Sequence, residues 1–585
     1  MKKKLVKEEK MSCKYSKQTY ENQQLGINTK TYHKAMKKGK WIWGACIVIL
    51  GYLVVSCNND TEQEANNEQV LNAGNVNFLL REAPFESITE VDTRSLSVMR
   101  DTVDVNGGLE AEVSIESDSS IALPRAETRA TEPLKDGTYH IYAFQGGTLK
   151  GSLACTMASG KLSSTGYMYL PHGTYDFICV NEQVTYHAAT ASFKVKRADA
   201  LVAVVQGKLI DQDPKQYVDF ELKHLTARVK IKLETYWPIA NIKAATQLSP
   251  SATQQRAMAT FTAANPMVVT YGTGEVKDSY TLANATTEAA NYTYTTLSND
   301  WQYYFPETDA TKFQMMITGG DKLYRRDVAG VKIALKGLSS MIANKSYTIK
   351  VRLLYKFQYL FSDGTTGTLA YGNANGKKAV AAMITTDRAI ALTDAGMGAG
   401  YMWSPHTTAQ QTPHMYTGFT AWYNNTDGYN LTWTPATTLP TPSVKANDPV
   451  NYPAFYHAGH YQPLHALTAP TGQLSQWYLP TIGEWKLAFI ALGNYDAAKL
   501  TDWGGSTSIH WDTPLVKTVF VQAGGTSPLW YSGGGLAGWY WSSSEHSTPS
   551  ALHVIFYPQN FYGAWWAGNP KTTLMRVRPF IIKKF

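Results

Sequence analysis

Hydrophobic and polar positions alternate with period two along much of this 585-residue chain. Ala227, Val229, Ile231 and Leu233 stand between Arg228, Lys230, Lys232 and Glu234, and Tyr347, Ile349, Val351, Leu353 and Tyr355 frame Thr348, Lys350 and Arg352. Because successive strand side chains point to opposite faces, each run predicts a strand with one apolar and one charged face. Such strands suit sandwiches whose outer face meets water. Amphipathic-helix spacing is scarce and Gly, Asn, Asp and Pro clusters bound the runs, so the class is mainly β. One helix is signalled clearly: Thr481 and Glu484 stand at capping-box spacing, and Gly493 marks the expected end.

The strongest apolar stretch, Trp41 to Val55, fits a signal-peptide core and is short for a membrane-spanning helix. Lys37, Lys38 and Lys40 precede it, and the polar Asn58-Asn59-Asp60 follows. Leu53-Val54-Val55-Ser56-Cys57 resembles the lipobox of bacterial lipoproteins. That resemblance implies export to the outer membrane, cleavage before Cys57, and a palmitate-type lipid on that cysteine. Residues 1–57 are therefore read as leader and signal peptide, with Met36 an alternative start, and the polar residues 58–73 as a flexible tether.

The formal charge of +8 disappears once the leader is set aside. Residues 1–56 hold 12 of the 54 Lys+Arg and 3 of the 46 Asp+Glu, leaving 42 against 43. No basic surface remains to suggest nucleic acid as a partner. About 530 mature residues exceed one core's usual size and suggest about three domains. After Cys57 only Cys155 and Cys179 remain, able to bond in an oxidising compartment or to stay as buried thiols.

A first strand is expected from Val76 to Leu80. Beyond it, a Ser-, Thr- and Asp-rich stretch carrying Arg94, Arg100, Arg125 and Arg129 reads as an exposed loop reaching to Thr138. The order of Val-Asn-Phe-Leu-Leu (76–80), Thr-Arg-Ala-Thr-Glu-Pro-Leu-Lys-Asp-Gly-Thr-Tyr (128–139), Leu-Pro-His-Gly-Thr-Tyr (170–175), Leu-Thr-Ala-Arg-Val (225–229) and Asn-Lys-Ser-Tyr-Thr-Ile-Lys-Val (344–351) resembles fimbrillin-like (Mfa-like) lipoproteins. The resemblance implies two tandem transthyretin-like β-sandwiches, at 74–240 and 241–355. It also implies a subunit of type V pili in which an arginine-specific protease removes the first strand, so that a neighbour's strand can fill the groove. Arg129 and then Arg125 are the candidate processing sites.

Of the 16 tryptophans, 12 lie beyond Phe357, where a differently built domain, 356–585, is expected. Leu-Pro-Thr-Ile-Gly-Glu-Trp (479–485), Trp-Ser-Ser-Ser-Glu (541–545) and Arg-Val-Arg-Pro (576–579) resemble the FISUMP family of surface domains, which implies an α+β C-type lectin-like fold. The signatures of a lectin calcium site, Glu-Pro-Asn, Gln-Pro-Asp and Trp-Asn-Asp, do not occur there. His457, His460 and His465 lack zinc-site spacing. No metal, cofactor or catalytic constellation is therefore expected. Tyr562, Trp565 and Trp566 are the candidate aromatics for ligand contact, by stacking on a glycan. The sequence reads as a pilus subunit placed at the tip, a non-enzymatic adhesin whose partners are other subunits, by strand exchange, and a surface glycan or protein. The rival is an uncleaved surface lipoprotein that binds through 356–585.

Overall fold

The computed structural model describes residues 69–72, 74–87, 101–105, 108–118, 134–211, 216–249, 255–335, 340–411, 419–493, 509–510, 512–528, 538–556 and 562–584. The protein is mainly β. Eight strands follow one another in a first sheet: Gln69–Asn72, Val76–Glu82, Gln216–His224, Leu201–Ile210, Gly173–Asn181, Gly137–Gln145, Thr148–Ala158 and Lys161–Ser164. The joint between Gln216–His224 and Leu201–Ile210 is only two residue pairs long, Leu201 with His224 and Val202 with Lys223. The sheet folds over at this joint, and its two arms share a core in which Phe78 meets Phe177 at 5.9 Å. The outer face of the longer arm, with Phe144, Ile178 and Val180, packs on a second sheet through Phe193, Val195 and Phe261. That sheet runs Val184–His187, Ser192–Val195, Arg256–Thr262 and Thr270–Thr273.

The alternating segments 227–235 and 345–355 lie side by side, in parallel, at the centre of a third sheet. Its order is Tyr294–Leu297, Ala227–Thr235, Lys345–Tyr355, Leu109–Ser117 and Asp101–Val105. Val229, Ile231, Leu233, Ile349 and Val351 are buried on one face, against Leu248, Phe313, Met315 and Ile317 of a four-stranded sheet. On the other face the charges pair, Lys350 with Glu234 at 3.1 Å and Lys232 with Glu116 at 2.8 Å.

Two features depart from the expectation. The chain crosses the boundary placed near residue 240 in both directions. Arg256–Thr262, beyond it, pairs with Ser192–Val195, while Leu109–Ser117, far before it, pairs with Lys345–Tyr355 over nine positions. Moreover, part of the stretch read as loop, and the end of the stretch read as tether, form strands. Leu109, Ala111 and Val113 supply apolar surface to the third sheet's core, and Leu71 to the first.

Cys155 and Cys179 are buried and free. They lie on strands flanking Gly137–Gln145, opposite Tyr139 and Ile141. Two interstrand spacings amount to about 9.5 Å, beyond the reach of a disulfide. Burial pushes the Cys155 thiol up to about 12.

From Tyr359 onward, the described residues form a five-stranded, a four-stranded and a two-stranded sheet together with short helices. Helix Ile482–Gly493 begins at the expected capping box. Thr481 Oγ1 accepts from the Glu484 amide at 3.2 Å, and the Glu484 carboxylate accepts from the Thr481 amide at 2.9 Å. Burial pushes that carboxyl up to about 7, against hydrogen bonds from Tyr478 and Thr481. Trp403, Trp485 and Trp541 are fully buried. The core of the third sheet continues into this region through Tyr355, Phe357, Tyr359, Val519 and Phe520. Gln522 also donates to the Tyr355 carbonyl at 2.8 Å, and Arg325 meets Asp512 at 2.9 Å.

Candidate functional site

The first-strand segment Val76–Glu82 presents Val76, Phe78, Leu80 and Glu82 to the interior and leaves Asn77, Leu79 and Arg81 half-buried. One edge pairs in parallel with Gln216–His224 over seven positions, and the other pairs antiparallel with Gln69–Asn72. Phe78 lies within 6.0 Å of both Phe177 and Phe220, so it fills the centre of the seat. The entering end is held by Asn75, whose Nδ2 donates to the Leu170 carbonyl at 2.8 Å and whose Oδ1 accepts from the Leu170 amide at 3.1 Å. Gly74 just before it has φ +96°, and a Cβ there would sit 2.5 Å from the Met168 carbonyl oxygen. Only glycine passes so close at that φ.

The leaving end is held by charge. Glu82 is buried 2.9 Å from Lys135 Nζ, and Lys135 also meets Asp199 at 2.8 Å. His224 places Nδ1 2.7 Å from Asp199 and Nε2 3.5 Å from Glu82. Phe85 covers the imidazole at 3.6 Å, and the Arg228 guanidinium lies over Phe85 at 4.4 Å. Burial alone would raise the Asp199 carboxyl, but His224 and Lys135 outweigh it and hold it below the ordinary carboxylate range. A strand filling this seat thus meets an apolar floor along its length and, at its end, the Lys135 ammonium beside the buried Glu82 carboxylate. Asn75→Ala is expected to cost about 1–2 kcal/mol by removing both bonds to Leu170. Amide exchange should show Val76–Glu82 opening faster, with Lys345–Tyr355 unchanged.

Glu82, Lys135, Asp199 and His224 carried no sequence signal as a group, since only the fold brings together residues so far apart. Cys57, Arg94, Arg100, Arg125 and Arg129 lie outside the described residues. Tyr562, Trp565 and Trp566 fall on strand Tyr562–Pro570, where the backbone pairs Tyr562 with His510, Trp565 with Val554 and Trp566 with His553. His457 stacks on Tyr401 at 3.7 Å and His460 on Tyr456 at 4.2 Å. Among the described residues, no three His, Cys, Asp or Glu side chains are placed to hold a metal ion.

Residues 128–356 match the family model described as fimbrillin-like, which supports placing that part of the chain with those proteins. No curated protein matches the chain. Among solved structures, a fimbrial protein from Bacteroides ovatus is similar at 11% identity, over 77% of this chain and 95% of its own, with a TM-score of 0.25. The tip fimbrial protein Mfa3 from Porphyromonas gingivalis, truncated at its C terminus, is similar at 10% identity, over 37% of this chain and 93% of its own, with a TM-score of 0.22.

Proposed function

We propose that the chain is a non-enzymatic pilus subunit and adhesin, placed at the tip, exported on a lipid at Cys57, cut at an arginine and joined to its neighbour by an exchanged strand. Its two pairs of packed sheets are then fimbrillin-type sandwiches, and residues 356–585 a lectin-like domain facing the ligand. The observation that carries the reading is the family match over 128–356, which spans most of both sheet pairs. Support for the tip position comes from strand Phe580–Ile582. It pairs with Arg388–Ala391 on one edge, and on the other Phe580 exchanges two 3.0 Å backbone bonds with Tyr478, so this strand is not free to be donated.

The position of the cut sets what is released. Cleavage after Arg129 or Arg125 detaches Val76–Glu82 and also Leu109–Ser117, so both sheet pairs lose core surface. Cleavage after Arg94 or Arg100 detaches Val76–Glu82 and leaves Leu109–Ser117 in place. Sequencing the N-terminus of protein taken from intact cells tests the proposal directly. A start at Ala130 or Ala126 is expected; a start at Ser95 or Asp101 would keep the pilus reading and move the site. A lipidated Cys57 with no shortened form would overturn processing. That last outcome is the rival reading, an uncleaved outer-membrane lipoprotein binding glycan or protein through 356–585.

A further inference from the structure

A cavity of about 350 Å³ opens in the C-terminal region, away from the strand seat. Three short segments wall it: His406 to Ala409, Leu439 to Ser443, and Asp448 to Tyr452. Each wall is fixed from behind. The fully buried Lys571 donates to the Ala409 carbonyl and pairs with the buried Glu545. The buried Lys445 donates to the Thr437 carbonyl at 2.9 Å and to that of Leu431 at 3.1 Å. The second wall begins in a short ladder, Thr438–Leu439 against Gln410–Gln411, and Thr438 Oγ1 ties it to the Ser443 carbonyl at 2.6 Å. The third wall is organised by Asp448, which accepts from the Asn451 amide at 2.8 Å and from Asn451 Nδ2 at 2.7 Å. Asn451 Oδ1 then reaches His406 Nε2 at 3.0 Å and joins the third wall to the first. A site carried on walls this firmly held keeps its shape before any ligand arrives.

The lining sets the ligand's chemistry. Its polar groups are the Asp448 carboxylate, the Asn451 amide, the His406 imidazole and the hydroxyls of Thr408, Thr441 and Ser443. Ala409, Leu439, Pro440 and Tyr452 supply apolar surface beside them. No lysine or arginine is among the lining residues. Behind the walls, burial pulls Lys445 down to about 7, and Glu545 neutralises Lys571. Burial would raise the Asp448 carboxyl, but hydrogen bonds from Asn451 and Val450 hold it below the ordinary range, so it is ionised at neutral pH. An anionic ligand would meet this carboxylate with no strong cation to offset it. A bound divalent cation would need several converging oxygens, of which one carboxylate is too few. Adjacent hydroxyls on a ring with an apolar face match what remains, and the volume lies in the range of small-ligand pockets, about 300–1,000 Å³.

We propose that this cavity binds a neutral pyranose sugar without a metal ion, its hydroxyls meeting Asp448, Asn451 and His406 and its ring lying on the exposed Pro440. The inference rests on the adhesin reading for its biological setting and deepens it by naming the site and the ligand class. The test applies the mature full-length chain to an array of neutral and sialylated glycans, with and without EDTA, alongside Thr441→Trp, Asn451→Ala and Trp565→Ala. Thr441 is exposed, so a tryptophan there fills the mouth without entering the core. Expected are neutral-glycan hits that persist in EDTA, fall at least tenfold in Thr441→Trp and Asn451→Ala, and survive Trp565→Ala. The proposal is overturned by no hits, by hits confined to charged glycans, by loss in EDTA, or by hits that Thr441→Trp leaves intact. Because the array needs no assembled fibre, failure here leaves the pilus reading standing, and failure to find the chain in pili leaves this site standing.

Discussion

Arg578→Leu is expected to lower stability by about 3–5 kcal/mol, the usual cost of breaking a buried ion pair from one side. Arg578 is fully buried, with Nε 2.7 Å from Asp394 Oδ1 and Nη2 donating to Thr526 Oγ1 at 3.0 Å. Its guanidinium lies over the Phe520 ring at 4.5 Å. Asp394 also takes Tyr540 Oη at 3.1 Å and Arg576 Nη1 at 3.3 Å, so three side chains from two chain segments converge on one carboxylate. Leucine fills part of the volume but returns none of these donors and leaves Asp394 in a dry site. Urea denaturation of the full-length chain measures the loss. The double variant Arg578→Leu, Asp394→Leu should recover part of it, since removing both charges also removes the uncompensated one. A loss below about 1 kcal/mol would mean that Arg576 alone suffices for Asp394.

Lys571→Met is expected to cost a similar amount, about 3–5 kcal/mol. Lys571 and Glu545 are both fully buried, and the ammonium also donates to the carbonyls of Ala409 and Thr548 while lying 4.6 Å from the centre of the Trp403 ring. Methionine keeps the length of the side chain and removes three hydrogen bonds, so packing changes least and charge most. Pairing it with Glu545→Gln should restore part of the loss. This change differs from Arg578→Leu in a second readout. Ala409 forms a wall of the cavity, so Lys571→Met should weaken neutral-glycan binding even at temperatures where the chain remains folded, whereas Arg578→Leu should not.

Arg578 is a motif residue and Lys571 is the partner of one, Glu545, and neither pairing could be read from the chain. Arg-Val-Arg-Pro and Trp-Ser-Ser-Ser-Glu were legible as a resemblance, but Asp394 stands 184 residues before Arg578, and Lys571 follows Glu545 by 26. What local physics dictates was legible: the buried row Val229, Ile231, Leu233, the helix start at Thr481 and Glu484, and the mainly β class. What required choosing partners across the chain was not. An alternating strand declares which face it buries, but not which neighbour it pairs with, so the interleaving of Leu109–Ser117 and Arg256–Thr262 was hidden. The cavity was hidden for the same reason, since its walls are three polar loop segments with no periodicity.

The direction of one strand pairing governs how the chain bears load. Val76–Glu82 and Gln216–His224 run parallel, and the chain continues from His224 directly into Ala227–Thr235 of the other sheet pair. A pull that draws the N-terminal side of Val76–Glu82 one way and everything beyond His224 the other acts along both strands at once. The ladder is then loaded in shear, and its hydrogen bonds must yield together instead of peeling one by one. Any strand seated there in the same direction would inherit that resistance, as would a surface protein held at one end while its far end grips a moving target.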